Sequence, residues 1–238
     1  MHSIWMGEFA GTLMLVYIGG GVNAGINLRK SFAASSGWMA VCTGWALAVL
    51  CGVLVARAFG SPDAHLNPAI TLANAVRSGD FTPLPIFLSA QFLGAICGSA
   101  LMALHYAPHW KLTEDPAVKL GVFCTGPAVN APWANMISEA LGTLTLIVVA
   151  TAIGSHAVNA GNMAPWLVAS LVWAIGLGLG GTTGYAINPA RDLGPRLVHT
   201  LLPIPGKGPS NWRYGAVAFT GDVLGAVLAG VLLRFAQI

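Results

Sequence analysis

The sequence predicts an all-α integral membrane protein, with six membrane-spanning helices plus two re-entrant half-helices in an inverted repeat. Three observations lead there. The 238 residues are 55% hydrophobic and only 8% charged, against roughly 25% charged in soluble domains; mean hydropathy is +0.71. A soluble domain so poor in charge lacks the polar surface that keeps it in solution. The apolar runs divide into six of spanning length and two that are too short. Both short pieces open on the same triplet, Asn-Pro-Ala, at Asn67-Pro68-Ala69 and Asn188-Pro189-Ala190.

A helix needs about twenty apolar residues to cross a bilayer. The first candidate covers about 4–26 and has no cleavable-looking signal ahead of it, so it reads as a retained span. A second span at about 38–59 leads to the short piece 67–77, and a third span covers about 84–106. The longest connection, 107–133, holds Lys111, Glu114, Asp115 and Lys119 and reads as a solvent-exposed loop. Spans at about 134–155 and 163–182 follow, then the short piece 188–199, then the last span at about 212–235.

The halves repeat. "GEFAGTLMLV" at 7–16 resembles "SEALGTLTLI" at 138–147, placing Glu8 opposite Glu139 with an offset of 131 (139 − 8). Asn67 and Asn188 stand 121 apart (188 − 67). "QFLGAICGSAL" at 91–101 resembles "AFTGDVLGAVL" at 218–228, matching Gly94 and Gly98 to Gly221 and Gly225. This small-xxx-small spacing suits close helix crossings. The chain thus divides into a first repeat (1–106), a connecting segment (107–133) and a second repeat (134–238). Each repeat has an odd number of spans, so the second enters the membrane from the opposite side. Inverted repeats with interrupted short helices place a site near the bilayer midplane.

The triplets have a physical reading. Asn is a good N-cap and Pro a good first helical residue, so each triplet starts a helix cleanly. A helix that starts inside the membrane leaves backbone groups that lipid cannot satisfy, so the start must be buried in protein or line water. Two such starts facing one another place partial positive charge at their meeting point, with two Asn amides as donors. That arrangement welcomes a neutral oxygen and repels a cation.

Other chemistry is weakly represented. Cys42, Cys51, Cys97 and Cys124 form no C-x-x-C pair and read as small hydrophobes packed between helices. The six histidines show no metal-ligand spacing. Net charge of +3 is too slight and dispersed for a nucleic-acid partner. No phosphate-cradling glycine loop or Ser-His-Asp arrangement stands out. No cofactor or metal is implied, and the protein is not expected to be an enzyme.

On the two triplets, the six spans, the two short helices and the repeated glutamates, the whole chain resembles the aquaporin family. The extended motif "NPARDLGPR", with Asp192 and Arg196, resembles the aquaglyceroporin branch. The resemblance implies a homotetramer with one pore per protomer, in a lipid bilayer. It implies an outer selectivity filter formed by Trp45, Gly176, Tyr185 and Arg191, and a central constriction at the two triplets. Trp45 and Gly176 share the 131-residue offset of the glutamates, so the repeat also marks them as equivalent positions of opposite size. Water-selective members typically carry Phe and His at these two places.

A polyol suits this set. Trp45 and Tyr185 offer an apolar corner to a hydrocarbon back, the Arg191 fork offers paired donors to neighbouring hydroxyls, and Gly176 leaves room. By resemblance, Glu8 and Glu139 accept hydrogen bonds from the re-entrant loops. Asp192 lies where the helix dipole favours a carboxylate. His65 has two open readings, lining the inner mouth or holding the loop. Departures from the branch pattern are Tyr185 where Phe is usual, and Ala218-Phe219 and Gly221-Asp222 where Pro-Leu and Gly-Pro are usual. Asp222, a lone acid in the last span, must be protonated, paired or water-facing.

The expected function is passive passage of glycerol and similar small neutral solutes, with water also passing and ions and protons excluded. The alternatives are a mainly water-selective channel and an ion-coupled secondary transporter using Glu8, Glu139 or Asp222. The family orientation puts both termini in the cytoplasm. That leaves Arg57, Arg77 and Arg234 inside, and Arg29, Lys30, Lys111, Lys119, Arg191, Arg196, Lys207 and Arg213 outside. A plain positive-inside count favours the reverse orientation; the family orientation is adopted here. The lack of long terminal extensions favours a bacterial inner membrane.

Overall fold

The computed structural model describes residues 2–237, and the regular structure among them is entirely helical. In chain order the α-helices are α1 (Ile4–Asn27), α2 (Gly37–Ala58), α3 (Pro68–Ser78), α4 (Leu84–His105), α5 (Pro116–Phe123), α6 (Pro132–Gly154), α7 (Ala164–Gly178), α8 (Pro189–Leu201) and α9 (Trp212–Ala236). Helices α1, α2, α4, α6 and α9, and α7 with the turn leading into it, are long and apolar enough to cross a membrane. The expected fifth span to 182 stops at Gly178, where the chain tightens into a 3-10 turn over Gly180–Thr182. Gly178, Gly180 and Gly181 are poor helix formers, which accounts for the early end.

Glycine pairs set the closest helix crossings. A Cβ on Gly94 or Gly98 of α4 would lie 2.4 Å from the Phe9 carbonyl oxygen or 2.3 Å from that of Leu13 on α1. Across the other crossing, a Cβ on Gly221 or Gly225 of α9 would lie 2.6 Å from the Met136 oxygen or 2.4 Å from the Ala140 oxygen on α6. Backbone meets backbone at both places, so neither pair tolerates a side chain without separating two spans.

The segment 107–133 differs from the solvent-exposed loop expected of it. Asp115 caps α5 by accepting from the Ala117 N–H at 2.8 Å, with Pro116 in the first turn. Trp110, Val122 and Phe123 then bury themselves against Leu28, Met102, Val198 and Ile204. Lys119 is 2% exposed and donates through Nζ to the Pro205 carbonyl. The charges along this segment favour solvent, but the apolar residues between them pack inward. It packs Trp110, Val122, Phe123 and Cys124 into a core cluster with residues of other helices, while Lys111, Glu114 and Asp115 stay exposed.

The two short helices start as their triplets dictate. Asn67 Oδ1 accepts from the Ala69 N–H at 2.8 Å, and Asn188 Oδ1 accepts from the N–H groups of Ala190 and Arg191 at 3.1 and 3.2 Å. The loops entering them hold matching left-handed residues: Ala64 and Leu66 at φ 47° and 51°, Tyr185 and Ile187 at φ 41° each. Each pair stands 121 positions from its counterpart (185 − 64, 187 − 66), the offset of the two asparagines. Four non-glycine residues in this region store strain of roughly 1–3 kcal/mol each, and such strain survives only where the surroundings over-determine it.

Candidate functional site

Buried glutamates supply that over-determination. Glu8 on α1 is fully buried and accepts four hydrogen bonds: Ser61 Oγ at 2.6 Å, the His65 N–H at 2.9 Å, the Leu66 N–H at 2.8 Å and Gln91 Nε2 at 2.8 Å. Glu139 on α6 accepts the Ala186 and Ile187 N–H groups at 3.0 and 3.1 Å. Each carboxylate thus takes donors of one strained loop that lipid has no means to satisfy. The asparagines bind across the two loops. Asn67 Nδ2 donates to the Ile187 carbonyl at 2.7 Å, and Asn188 Nδ2 donates to the Leu66 carbonyl at 2.9 Å. The starts of α3 and α8 therefore meet head to head, and each amide keeps one further N–H beyond these bonds.

A narrow passage of about 80 Å³ runs past this meeting point, bordered by Asn67, Asn188, Trp45, Tyr185, Arg191 and His65. The rest of its wall is aliphatic: Leu15, Val49, Val53, Ile70, Leu146, Val168 and Val172. It shares His65, Ala64 and Val53 with a wide vestibule of about 700 Å³ that carries Arg57, Asp63, Asn74, Arg77 and Asp80. His65 both borders the passage and holds its loop. Its ring nitrogens lie 3.1 Å from Thr71 Oγ1 and 3.1 Å from Asn74 Nδ2, and the ring stacks on Phe87.

At the far end of the passage the Arg191 guanidinium carbon lies 4.0 Å from the centre of the Trp45 ring, a cation–π contact. Trp45 also rests on Gly19, where a Cβ would come within 2.4 Å of the ring. Trp45 Nε1 donates to Asn23 Oδ1 at 3.0 Å. Arg191 is 5% exposed, and among the described residues its Nη1 has no hydrogen-bond partner, nor does the Tyr185 hydroxyl. Buried polar atoms without partners are uncommon in native structures, and here two of them border one passage.

Gly176 departs from the simple expectation that it leaves room. A Cβ there would lie 2.9 Å from Cys42 Sγ, 3.0 Å from Tyr185 Cζ and 3.1 Å from its hydroxyl. The space is filled by Tyr185 and Cys42. Gly180 does the same lower on the ring, with a Cβ 2.4 Å from Tyr185 Cδ1. The phenol therefore packs along two glycines four residues apart, in a slot their missing side chains leave, edge-on to Trp38 at 5.8 Å, and Trp38 Nε1 donates to the Gly176 carbonyl at 3.0 Å.

Asp192 and Arg196 lie behind this site. Arg196, fully buried, donates from Nε and Nη2 to Asp192 at 3.1 and 2.9 Å, and also to the carbonyls of Thr125, Ser210 and Asn211. Asp192 in turn accepts from the Thr125 N–H and hydroxyl at 2.7 Å each. This network welds the end of 107–133 onto α8. Asp222 takes a hydroxyl hydrogen bond from Thr143 at 3.1 Å through Oδ1 and is fully buried between α9 and α6, away from the passage. Phe219 is 41% exposed on the outer face of α9, so the altered pattern there does not touch the passage wall.

Asn23, Trp38 and Cys42 were not among the expected site residues. Asn23 had a signal, since a lone amide inside an apolar span needs a partner. Trp38 and Cys42 had none, because only the fold brings them to Tyr185.

Two half-helices opposed within six spans, with a passage running past their asparagines, define a membrane channel of the aquaporin type. The model of the major intrinsic protein family matches residues 2–233, and the chain belongs to that family, in its aquaglyceroporin branch. The glycerol uptake facilitator protein of Bacillus subtilis (strain 168) is 50% identical, covering 99% of this chain and 85% of its own length. A probable glycerol uptake facilitator protein of Thermotoga maritima is 47% identical over 98% of this chain and 99% of its own. The X-ray structure of the aquaglyceroporin from Plasmodium falciparum superposes with a TM-score of 0.78 at 24% identity, covering 97% of this chain and 94% of that one. That likeness bears on the fold alone.

Proposed function

We propose that the protein is a passive channel for glycerol and similar small neutral solutes, also passing water and excluding ions and protons. The observation that carries the reading is the unpaired Nη1 of Arg191 beside Trp45 and Tyr185 in a passage whose wall is mostly aliphatic. A polyol lays its carbon back on the two aromatic rings and turns its hydroxyls to Arg191. Trp45, Gly176, Tyr185 and Arg191 act as the selectivity filter, with Gly176 acting through the slot it opens for Tyr185. Asn67 and Asn188 then hand the hydroxyls on at the central triplets. The fixed charge of Arg191 and the positive ends of α3 and α8 oppose cations and protons.

No bond is made or broken, so the protein is not an enzyme. The carboxylates on which ion coupling would depend all sit off the passage: Glu8 and Glu139 hold loop N–H groups, and Asp222 is buried with one bond from Thr143 and its Oδ2 unpartnered; their distance from the passage favours uncoupled flux. The relatives named above are bacterial glycerol uptake facilitators, which supports the substrate; a bacterial inner membrane is the location taken for the six apolar spans. The molecule is taken as two inverted repeats, 1–106 and 134–238, joined by 107–133, and as a homotetramer.

Orientation with both termini inside is eased by burial. Arg191, Arg196 and Lys119 are at most 5% exposed, and Lys207 Nζ is occupied by the carbonyls of His199, Thr200 and Leu202. Four cations then stand outside (Arg29, Lys30, Lys111, Arg213) against three inside (Arg57, Arg77, Arg234).

Proteoliposomes shrunk osmotically in a glycerol gradient test the reading. Re-swelling well above that of empty vesicles, indifferent to proton and sodium gradients, is expected. Water flux without glycerol re-swelling overturns the polyol reading. The double substitution Trp45→Phe with Gly176→His is expected to reduce glycerol passage; undiminished passage overturns the filter assignment.

A further inference from the structure

The position of Trp45 depends on a residue outside the filter. Trp45 has one polar atom, the indole N–H, which is a donor only. Asn23, 7% exposed on α1, accepts it at 3.0 Å. The other end of the same amide, Nδ2, faces the carbonyls of Val122 and Gly121 at 3.4 and 3.5 Å, in the last turn of α5. This fixes which way the amide points. Turned over, its NH2 would meet the indole N–H and its oxygen would meet two carbonyls, a repulsive contact at both ends.

We propose that Asn23 is a positioning residue for solute selectivity. It occupies the only donor of Trp45 and pins the indole against Gly19 under the Arg191 guanidinium. The consequence is chemical as well as steric. With Nε1 taken, the tryptophan shows solute a purely apolar surface, and the side-chain donors left at that level are Arg191 and the Tyr185 hydroxyl. A polyol then gains from having one greasy side and one hydroxylated side, while water gains little from the greasy one. Without Asn23 the indole N–H must either stay buried and unpaired or turn toward the passage. There it becomes a further donor, on the side otherwise apolar, that water uses as well as a polyol does. Through Nδ2 the backbone of α5 also takes part, so the segment 107–133 helps to set the constriction.

The inference rests on Trp45 acting in the filter, and the test separates the two ideas. The glycerol-to-water permeability ratio is measured in proteoliposomes for the wild type, Asn23→Ala, Trp45→Phe and the double variant. Asn23→Ala alone is expected to lower the ratio about two- to tenfold, the range one net hydrogen bond commands. In the Trp45→Phe background, which has no indole N–H, the same substitution is expected to change the ratio less than about twofold. A substitution at Asn23 that acts merely on folding would lower the ratio equally in both backgrounds, and that result overturns the inference. So does an unmoved ratio in Asn23→Ala beside a moved one in Trp45→Phe, which leaves the filter reading standing. An unmoved ratio in Trp45→Phe overturns both. Asn23→Leu, with the same branching and number of heavy atoms but no polar ones, runs the same cycle if the alanine variant is not recovered from membranes.

Discussion

Adding one methyl group at Gly176 tests whether the tyrosine slot governs the constriction. In Gly176→Ala the new Cβ would stand 2.9 Å from Cys42 Sγ and 3.0 and 3.1 Å from Tyr185 Cζ and its hydroxyl oxygen. Reaching ordinary contact at about 3.4 Å requires a movement of about 0.3–0.5 Å. Tyr185 also packs along Gly180, four residues on from Gly176 in the same stretch of chain, and edge-on to Trp38 at 5.8 Å. A ring pushed off Gly176 moves away from this stretch, toward the passage it borders. Overpacking of this kind costs about 1–3 kcal/mol. If about 1.4 kcal/mol of that reaches the barrier for a solute that fills the constriction, glycerol permeability falls about tenfold. Water, being smaller, loses less, so the glycerol-to-water ratio falls as well. Stopped-flow light scattering on proteoliposomes reads both fluxes. Gly178→Ala serves as the control, since nothing lies within 4 Å of a Cβ there, and it should match the wild type. A Gly176→Ala channel with a wild-type ratio would refute the claim that Tyr185, held by its glycine slot, sets the width.

Three further outcomes are expected. Glu8→Gln swaps one acceptor oxygen for an NH2 group and loses about two of four hydrogen bonds, at about 1.5–3 kcal/mol each for a charged acceptor. Glu139→Gln loses about one of two, so thermal unfolding in detergent should show the Glu8 variant less stable; equal losses would contradict this account. Arg196→Lys keeps the charge but not the fork that spans Asp192, Thr125, Ser210 and Asn211. It should lower the unfolding temperature and loosen 107–133 to proteolysis. Burial, aided by the nearby Asp192 charge, pushes the Cys124 thiol up to about 12. The group therefore stays protonated at every pH below that value, and a maleimide at pH 8 should leave Cys124 unlabelled until the protein is denatured.

Much of the architecture was legible in the residues. Spans at about 4–26, 38–59, 84–106, 134–155 and 212–235 correspond to helices Ile4–Asn27, Gly37–Ala58, Leu84–His105, Pro132–Gly154 and Trp212–Ala236, because a long apolar run is a local property that composition alone reveals. The starts of α3 and α8 were equally legible, since Asn and Pro cap a helix by local geometry. The end of α7 was less so, where a glycine-rich stretch leaves hydropathy unchanged but weakens the helix. Residues 107–133 were misjudged because their charges are a property of the segment, whereas the partners of Trp110 and Phe123 lie on other helices.

By itself, then, the sequence determined that this chain lives in a bilayer, where its apolar runs break, and that two helices begin inside the membrane on matched triplets. Those features depend on residue type and spacing along one dimension. Tertiary structure alone decided what each polar atom at the constriction has left to offer. Trp45 has spent its donor on Asn23, and Tyr185 fills the space beside Gly176, while Arg191 keeps an unpaired Nη1. Whether a donor is already occupied depends on distances between segments far apart in the chain, such as α1 with α2 or α7 with the loop before α8. A sequence carries the identities of those partners and not their separation.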